Sequence, residues 1–383
     1  MTVTAPQGFT AAGVAAGLKA SGKPDVAVVI NQGPSYAAAG VFTANRVQAA
    51  PVRWSRDVLA GGEVRAVVLN SGGANACTGP AGLADTAGTA AHLAGLLGVP
   101  AGRVAVCSTG LIGERLPMDL LLPGVSAAVS AATADGGLDA AAAIMTTDTV
   151  PKTSTRAGSG YLIGGMAKGA GMLAPGLATM LVVVTTDADL PAAGLDAALR
   201  EAVSTTFDRL DSDGCMSTND TVLLLASGAA GVRPDPAEFT GMLTAVCDDL
   251  AGQLQADAEG ASKDIAIEVI GAATEQDAVD VGRAVSRSNL FKCAITGEDP
   301  NWGRVLAAVG TTGAVFDPDA LNVAINGVWV CRDGAAGQDR SLVDLRPRQV
   351  RVTVDLAAGQ ASATIRTSDL TAAYVHENSA YSS

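Results

Sequence analysis

Two spacings of hydrophobic residues alternate along the chain, and each marks a different kind of element. Apolar runs at 25–30, 65–69 and 103–106 predict strands, and further strands are expected at 221–225 and 264–269. Met180 to Val184 is uninterrupted and rich in β-branched residues, the pattern of a strand buried on both faces. Helical period and alanine content place helices at 82–97, 118–131, 138–145, 191–203, 236–255 and 274–287. Near the end, Val350, Val352, Val354 and Leu356 point one way and Arg351, Thr353 and Asp355 the other; after a turn at 357–360 the chain runs through 362–366, so a half-exposed hairpin is expected. Strands and helices interleave without a fixed repeat, which predicts an α/β or α+β fold of mixed sheets layered with helices. A chain of 383 residues exceeds the usual size of one core, so two lobes are expected.

Composition narrows the possibilities. Hydrophobic residues make up 48% of the chain but aromatics only 3%, so Val, Leu, Ile and Ala must build the core. A net charge of −13 argues against nucleic acid and anionic membranes, which need concentrated Lys and Arg. Six scattered cysteines without a Cys-x-x-Cys pair suit buried reduced thiols better than disulfides or zinc. There is no basic start followed by an apolar core, and no long glycine-poor apolar stretch, so a soluble cytoplasmic protein is expected. His92 and His376 are the only histidines, too little for a His-based triad or a multi-histidine metal site.

Three glycine-containing junctions carry the candidate chemistry. Lys168-Gly-Ala-Gly-Met-Leu-Ala-Pro-Gly-Leu-Ala-Thr179 brings small residues up to one hydroxyl at the head of the Met180 strand. Threonine is also an ordinary strand residue, and Lys168, one of only six lysines, is also compatible with a solvated loop. The loop from Asn70 to Gly79 follows a strand and precedes a helix as phosphate loops do, but lacks both the Gly-Lys-Ser/Thr ending and the Gly-x-Gly-x-x-Gly spacing. At Ser108-Thr109-Gly110 a strand ends in a turn that can offer a hydroxyl and an adjacent backbone N–H, two donors suited to an oxyanion, or can satisfy only itself.

Six motifs in order resemble one family. They are Lys168 to Pro175 with Ala178-Thr179-Met-Leu; Ser108-Thr109-Gly110 with Ile112-Gly113-Glu114; Thr146-Thr147-Asp148-Thr149 with Pro151-Lys152; Ser217-Thr218-Asn219-Asp220-Thr221; Gly297 to Arg304; and His376 to Tyr381. The chain is similar, from Gly8-Phe9 to its last residue, to ornithine acetyltransferases, also called glutamate N-acetyltransferases, of arginine biosynthesis. The resemblance implies a layered, self-cleaving N-terminal-nucleophile enzyme cut between Ala178 and Thr179 into an alpha fragment, 1–178, and a beta fragment, 179–383, assembled as a heterotetramer of two of each. It implies that Thr179 is the nucleophile, its freed α-amine the base, and Thr109 with Gly110 the oxyanion hole. Substrate positions carry over to Thr146, Lys168, Thr179, Glu259, Asn378 and Ser383. The implied partners are N-acetylornithine as donor, glutamate as acceptor and ornithine as product, without metal or cofactor; whether acetyl-CoA also serves as a donor is open.

The rival readings are an amidohydrolase or aminopeptidase using the same terminal threonine, and a non-catalytic amino-acid-binding protein. Gly73 and Gly176 stand where the family more often has Asn and a larger residue, so slower or altered processing is the most that is expected. The polar tail would by itself be assigned to disorder, and the Asp299 to Arg304 motif reads as a helix start without a named role.

Overall fold

The computed structural model describes residues 2–172 and 180–380; the predicted junction Ala178–Thr179 and the terminal Ser383 lie outside them. Within that range the first segment holds β1 (Phe9–Val14), β2 (Val26–Asn31), β3 (Ala38–Phe42), α1 (Ala50–Leu59), β4 (Ala66–Ser71), α2 (Gly79–Leu97), β5 (Val104–Thr109), α3 (Met118–Ala131) and α4 (Gly137–Ala143). Next come β6 (Lys152–Ala157), β7 (Leu162–Lys168), β8 (Leu181–Thr186), α5 (Ala192–Thr205), β9 (Thr221–Ala226) and α6 (Pro236–Ala256). The remainder forms β10 (Asp264–Ala272), α7 (Glu275–Ser286), α8 (Asn289–Thr296), α9 (Trp302–Val309), β11 (Asn322–Ile325), β12 (Val328–Arg332), β13 (Ala335–Ala336), β14 (Gln349–Asp355), β15 (Ala361–Ser368) and α10 (Ala372–Ala380).

Strands that are apolar on both faces need cover on both faces, and a four-layer sandwich supplies it. One sheet has the order β1-β2-β4-β5 and the next β3-β9-β8-β7-β6. Their facing sides share a core in which Val29, Val67 and Leu69 of the first meet Met166, Leu181, Val183, Leu223 and Leu225 of the second. The first sheet's outer side is covered by α2 and α3 through Leu93, Leu121 and Val125. The second is covered by α5 and α6 through Leu195, Leu199, Phe239, Leu243 and Leu250. A third sheet, β13-β12-β11-β14-β10-β15, packs on α7, α8 and α9 around its own core.

The middle sheet joins the chain on either side of the predicted cut. β7 pairs antiparallel with β8, Lys168 opposite Leu181, and β3 pairs antiparallel with β9. Segments 1–178 and 179–383 therefore share one hydrogen-bonded sheet.

The expected terminal hairpin does not form. β10 lies between its two arms, parallel to β14 and antiparallel to β15. Alternation correctly put Val350, Val352 and Val354 in the core, but a period of two assigns faces and says nothing about which strand lies alongside. Nor is the tail disordered through residue 380. Its last described turns form α10, anchored where Thr371 Oγ1 donates to Gly260 O at 2.6 Å and Tyr374 N–H donates to Thr371 Oγ1 at 3.1 Å. In the Asp299–Arg304 motif, Asn301 caps α9, its side-chain oxygen accepting from Arg304 N–H. All six cysteines are free, with Cys107, Cys247 and Cys331 buried. No helix among the described residues is long and apolar enough to cross a membrane. Leu69 is fully buried between the facing sheets. Leu69→Ala is expected to cost ~2–5 kcal/mol of unfolding free energy, measured as a lower urea midpoint at unchanged slope.

Candidate active site

Strands buried on both faces bring their polar ends to one place, where β5, β7 and β8 finish or begin. Lys168, the last residue of β7, is 1% exposed, and its Nζ donates to Thr109 Oγ1 at 3.3 Å. Burial pushes the Lys168 ammonium below its ordinary pKa, and the charge of Asp148 opposes that shift. Thr109 closes β5, and Gly110, at φ +125°, turns the chain out of the strand. The carbonyl of Thr109 accepts from Gly72 and Gly73 N–H, both at 3.0 Å, so the glycine loop after β4 is stitched to this turn.

Asp148 organises the opposite side. Its Oδ2 accepts from Thr146 N–H at 3.0 Å, and its Oδ1 accepts from Gly169 N–H at 2.6 Å and from Lys152 Nζ at 2.7 Å. Lys152, fully buried, also donates to Asp257 Oδ2 at 2.6 Å. Burial opposes the charge on Asp148, but Lys168, Lys152 and the Gly169 N–H together hold its carboxyl below the ordinary range. Thr146 and Lys168 are thus tied to one carboxylate through the backbone on either side of it.

The segment after Lys168 leads to Glu259. Glu259 N–H donates to Ala170 O at 3.0 Å, and a Cβ on Gly171 would fall 2.6 Å from Glu259 Oε2, so the side chain lies directly against this backbone. Asn378 Nδ2, on α10, donates to Glu259 Oε2 at 3.0 Å. Met172 N–H donates to Asp213 Oδ2 at 2.6 Å, and burial raises the Asp213 carboxyl.

Met180, the residue after Thr179, has its N–H held by Asp220 Oδ1 at 3.0 Å. Asp220 is fully buried, and its Oδ2 has no hydrogen-bond partner among the described residues. Burial pushes this carboxyl well above the ordinary range, against the pull of the Met180 N–H and the Lys168 charge. A carboxylic acid kept neutral can donate as well as accept.

Of the predicted residues, Thr109, Gly110, Thr146, Lys168, Glu259 and Asn378 meet along the Lys168–Gly171 backbone, while Ala178, Thr179 and Ser383 lie outside the described residues. The arrangement offers a buried cation and a part-buried carboxylate on either side of one short segment, complementary to the carboxylate and ammonium groups of an amino acid. Sequence reasoning assigned no role to Asp148, Lys152, Asp213 or Asp220, although three of them stand inside motifs that it singled out. A charged residue within a run of Thr, Asn and Gly, in a chain this short of lysine, was the available signal.

The ArgJ family profile matches residues 10–383. The chain belongs to the ArgJ family. Among its relatives, the arginine biosynthesis bifunctional protein ArgJ of Thermobifida fusca is 69% identical and that of Streptomyces avermitilis 68%, each alignment covering 100% of both chains. A crystal structure of ornithine acetyltransferase complexed with ornithine, from Mycobacterium tuberculosis, is 56% identical, covers 47% of this chain and 96% of that chain, and superposes with a TM-score of 0.43.

If Asp220 is neutral and acts through hydrogen bonds, Asp220→Asn should keep the unfolding free energy within about 1 kcal/mol, whereas Asp220→Ala, which leaves the Met180 N–H unpaired, should lose about 1–3 kcal/mol. Chemical denaturation of both variants checks this, and an Asn variant as damaged as the Ala variant contradicts it.

Proposed function

We propose that this ArgJ protein transfers the acetyl group of N-acetylornithine to glutamate through an acetyl ester on Thr179, after cutting itself between Ala178 and Thr179. The observation that carries this reading is the Lys168 ammonium. It is buried, hydrogen-bonded among the described residues only to Thr109 Oγ1, and paired across the sheet with Leu181, two residues beyond Thr179. A desolvated cation with donors to spare at that position suits a substrate carboxylate. Full-length relatives named as bifunctional proteins of arginine biosynthesis support the same reading.

The roles follow from the chemistry. In self-cleavage the Thr179 hydroxyl attacks the Ala178 carbonyl, the peptide nitrogen leaves as the Thr179 amine, and water opens the resulting ester. That α-amine, with an ordinary pKa of ~7.7–8.0, is partly unprotonated near neutral pH and takes the hydroxyl proton during acetyl transfer. Oγ1 of Thr179 attacks the acetyl carbonyl, and the ornithine nitrogen leaves with the proton. The unprotonated glutamate amine then attacks the ester, restoring the hydroxyl and giving N-acetylglutamate.

Thr109 Oγ1 and the Gly110 N–H hold the oxyanion of each tetrahedral intermediate. Lys168 takes the α-carboxylate, Thr146 lines the site, and Glu259, steadied by Asn378, takes an ammonium. Ser383 completes the substrate contacts. The fragments 1–178 and 179–383 stay together through the β7–β8 and β3–β9 pairs and assemble as a heterotetramer of two copies each. Six free thiols fit a reducing cytosol. The word bifunctional in the relatives' names supports acetyl-CoA as a second donor for glutamate.

Intact-mass measurement of the purified protein is expected to give two species ending at Ala178 and starting at Thr179, with the Thr179→Ala variant uncut and inactive. Only full-length chain with full activity overturns the mechanism. In a two-substrate assay glutamate should receive the acetyl group; release of acetate at the same rate with and without glutamate favours the hydrolase instead. Thr109→Ala is expected to lower kcat roughly 10²–10³-fold, the effect of deleting one oxyanion donor.

A further inference from the structure

A site that serves both ornithine and glutamate must accept side chains of opposite charge. Their α-carboxylates can share Lys168, and Glu259 suits the ornithine ammonium, but the second carboxylate of glutamate then needs a cation of its own. Lys152 is not available, because its ammonium is fully buried on Asp148, Asp257 and the Val150 carbonyl.

Lys19 stands on the far side of the glycine loop. Its backbone is fixed by Asp25, whose buried carboxylate collects four successive N–H groups, from Ala16 at 2.6 Å, Gly17 at 3.1 Å, Leu18 at 2.6 Å and Lys19 at 3.1 Å. That turn abuts the oxyanion-hole loop, since a Cβ on Gly72 would lie 3.0 Å from Leu18 O while Gly72 N–H donates to Thr109 O at 3.0 Å. Lys19 is half-buried as a residue, and its ammonium donates in an exposed hydrogen bond at 2.7 Å to Pro24 O, its one hydrogen-bond acceptor among the described residues, which leaves donors for a ligand.

We propose that Lys19 recognises the side-chain carboxylate of the glutamate acceptor, making it a specificity residue of the amino-acid site; this rests on the acetyl-transfer reading above. The electrostatics fit. Burial lowers the Lys19 pKa to about 8, Lys168 and Lys23 push the same way, and Asp25 and Asp148 oppose them. A bound carboxylate favours the ammonium and relieves the repulsion from Lys168. In the free enzyme the charge is present below about pH 8 and lost above it, so glutamate binding weakens as pH rises through that value.

The test is steady-state kinetics on the processed enzyme with N-acetylornithine and glutamate varied separately. Lys19→Gln is expected to raise the glutamate KM about tenfold, the loss of one charge-assisted hydrogen bond in a partly exposed site. The N-acetylornithine KM should rise at least about fivefold less than that, because this donor has no second carboxylate to lose. Lys19→Arg keeps the charge at every working pH, so its glutamate KM should stay near the wild-type value at neutral pH and lose the part of the rise above about pH 8 that exceeds the rise in the N-acetylornithine KM, which shares Lys168. Equal rises in both KM values, or none, overturn the assignment. An Arg variant in which the alkaline rise of the glutamate KM still exceeds that of the N-acetylornithine KM as in the wild type overturns it too, and decides the matter should the Gln variant fail to fold. If the wild-type enzyme does not acetylate glutamate at all, the acetyl-transfer reading falls first and this assignment with it.

Discussion

The antiparallel pairing of β7 with β8, inside a sandwich that covers both faces of their sheet, is the constraint on which the rest of the molecule depends. β8 is buried at all six positions, so its ends are the places where this layer can present polar groups. The register that sets Lys168 opposite Leu181 brings a buried ammonium beside the strand headed by Met180. β5, in the facing sheet, ends at the same place with Thr109. The site is therefore a junction of two sheets, and its geometry is inherited from their packing.

Lysine is used sparingly and mostly inside. Lys152, Lys168, Lys263 and Lys292 are all buried, four of the six lysines in the chain. Two are paired with carboxylates, Lys152 on Asp148 and Asp257 and Lys263 on Glu298 with the carbonyls of Leu345 and Arg346, while Lys292 donates to the Ser212 carbonyl. Lys168 has one long hydrogen bond to a hydroxyl. A desolvated ammonium is costly unless paired, and Lys168 has no carboxylate within hydrogen-bond distance among the described residues. Asp148 pairs with Lys152 and holds the backbone at Thr146 and at Gly169, the residue after Lys168.

Much of the fold was legible because apolar spacing reports burial. The runs that became β2, β4, β5, β8 and β9 are continuous, and strands continuous in apolar residues are covered on both sides. β1 and β7 escaped that reading: Phe-Thr-Ala-Ala-Gly-Val and Leu-Ile-Gly-Gly-Met-Ala-Lys carry too many small residues to show a period. The site was legible as residue types within motifs, which is why Thr109, Thr146, Lys168, Glu259 and Asn378 were named. Asp148 and Asp220 stood in the same motifs, but their roles lie in backbone N–H groups at 169 and 180, and no side-chain pattern reports those.

Local sequence alone set which residues are apolar, which faces of β14 are buried, where the longer helices α2, α3, α5, α6 and α7 run and which hydroxyls and charges stand at strand ends, because these are properties of neighbours within a few residues. It did not set the neighbour of β14 or the order of the charged groups at the junction. β10 inserts between β14 and β15, and Glu259 meets Asn378 across 119 positions of sequence. Such pairings are chosen by how whole sheets cover one another. Tertiary packing alone thus made Lys168 a buried, under-occupied cation rather than a solvated lysine.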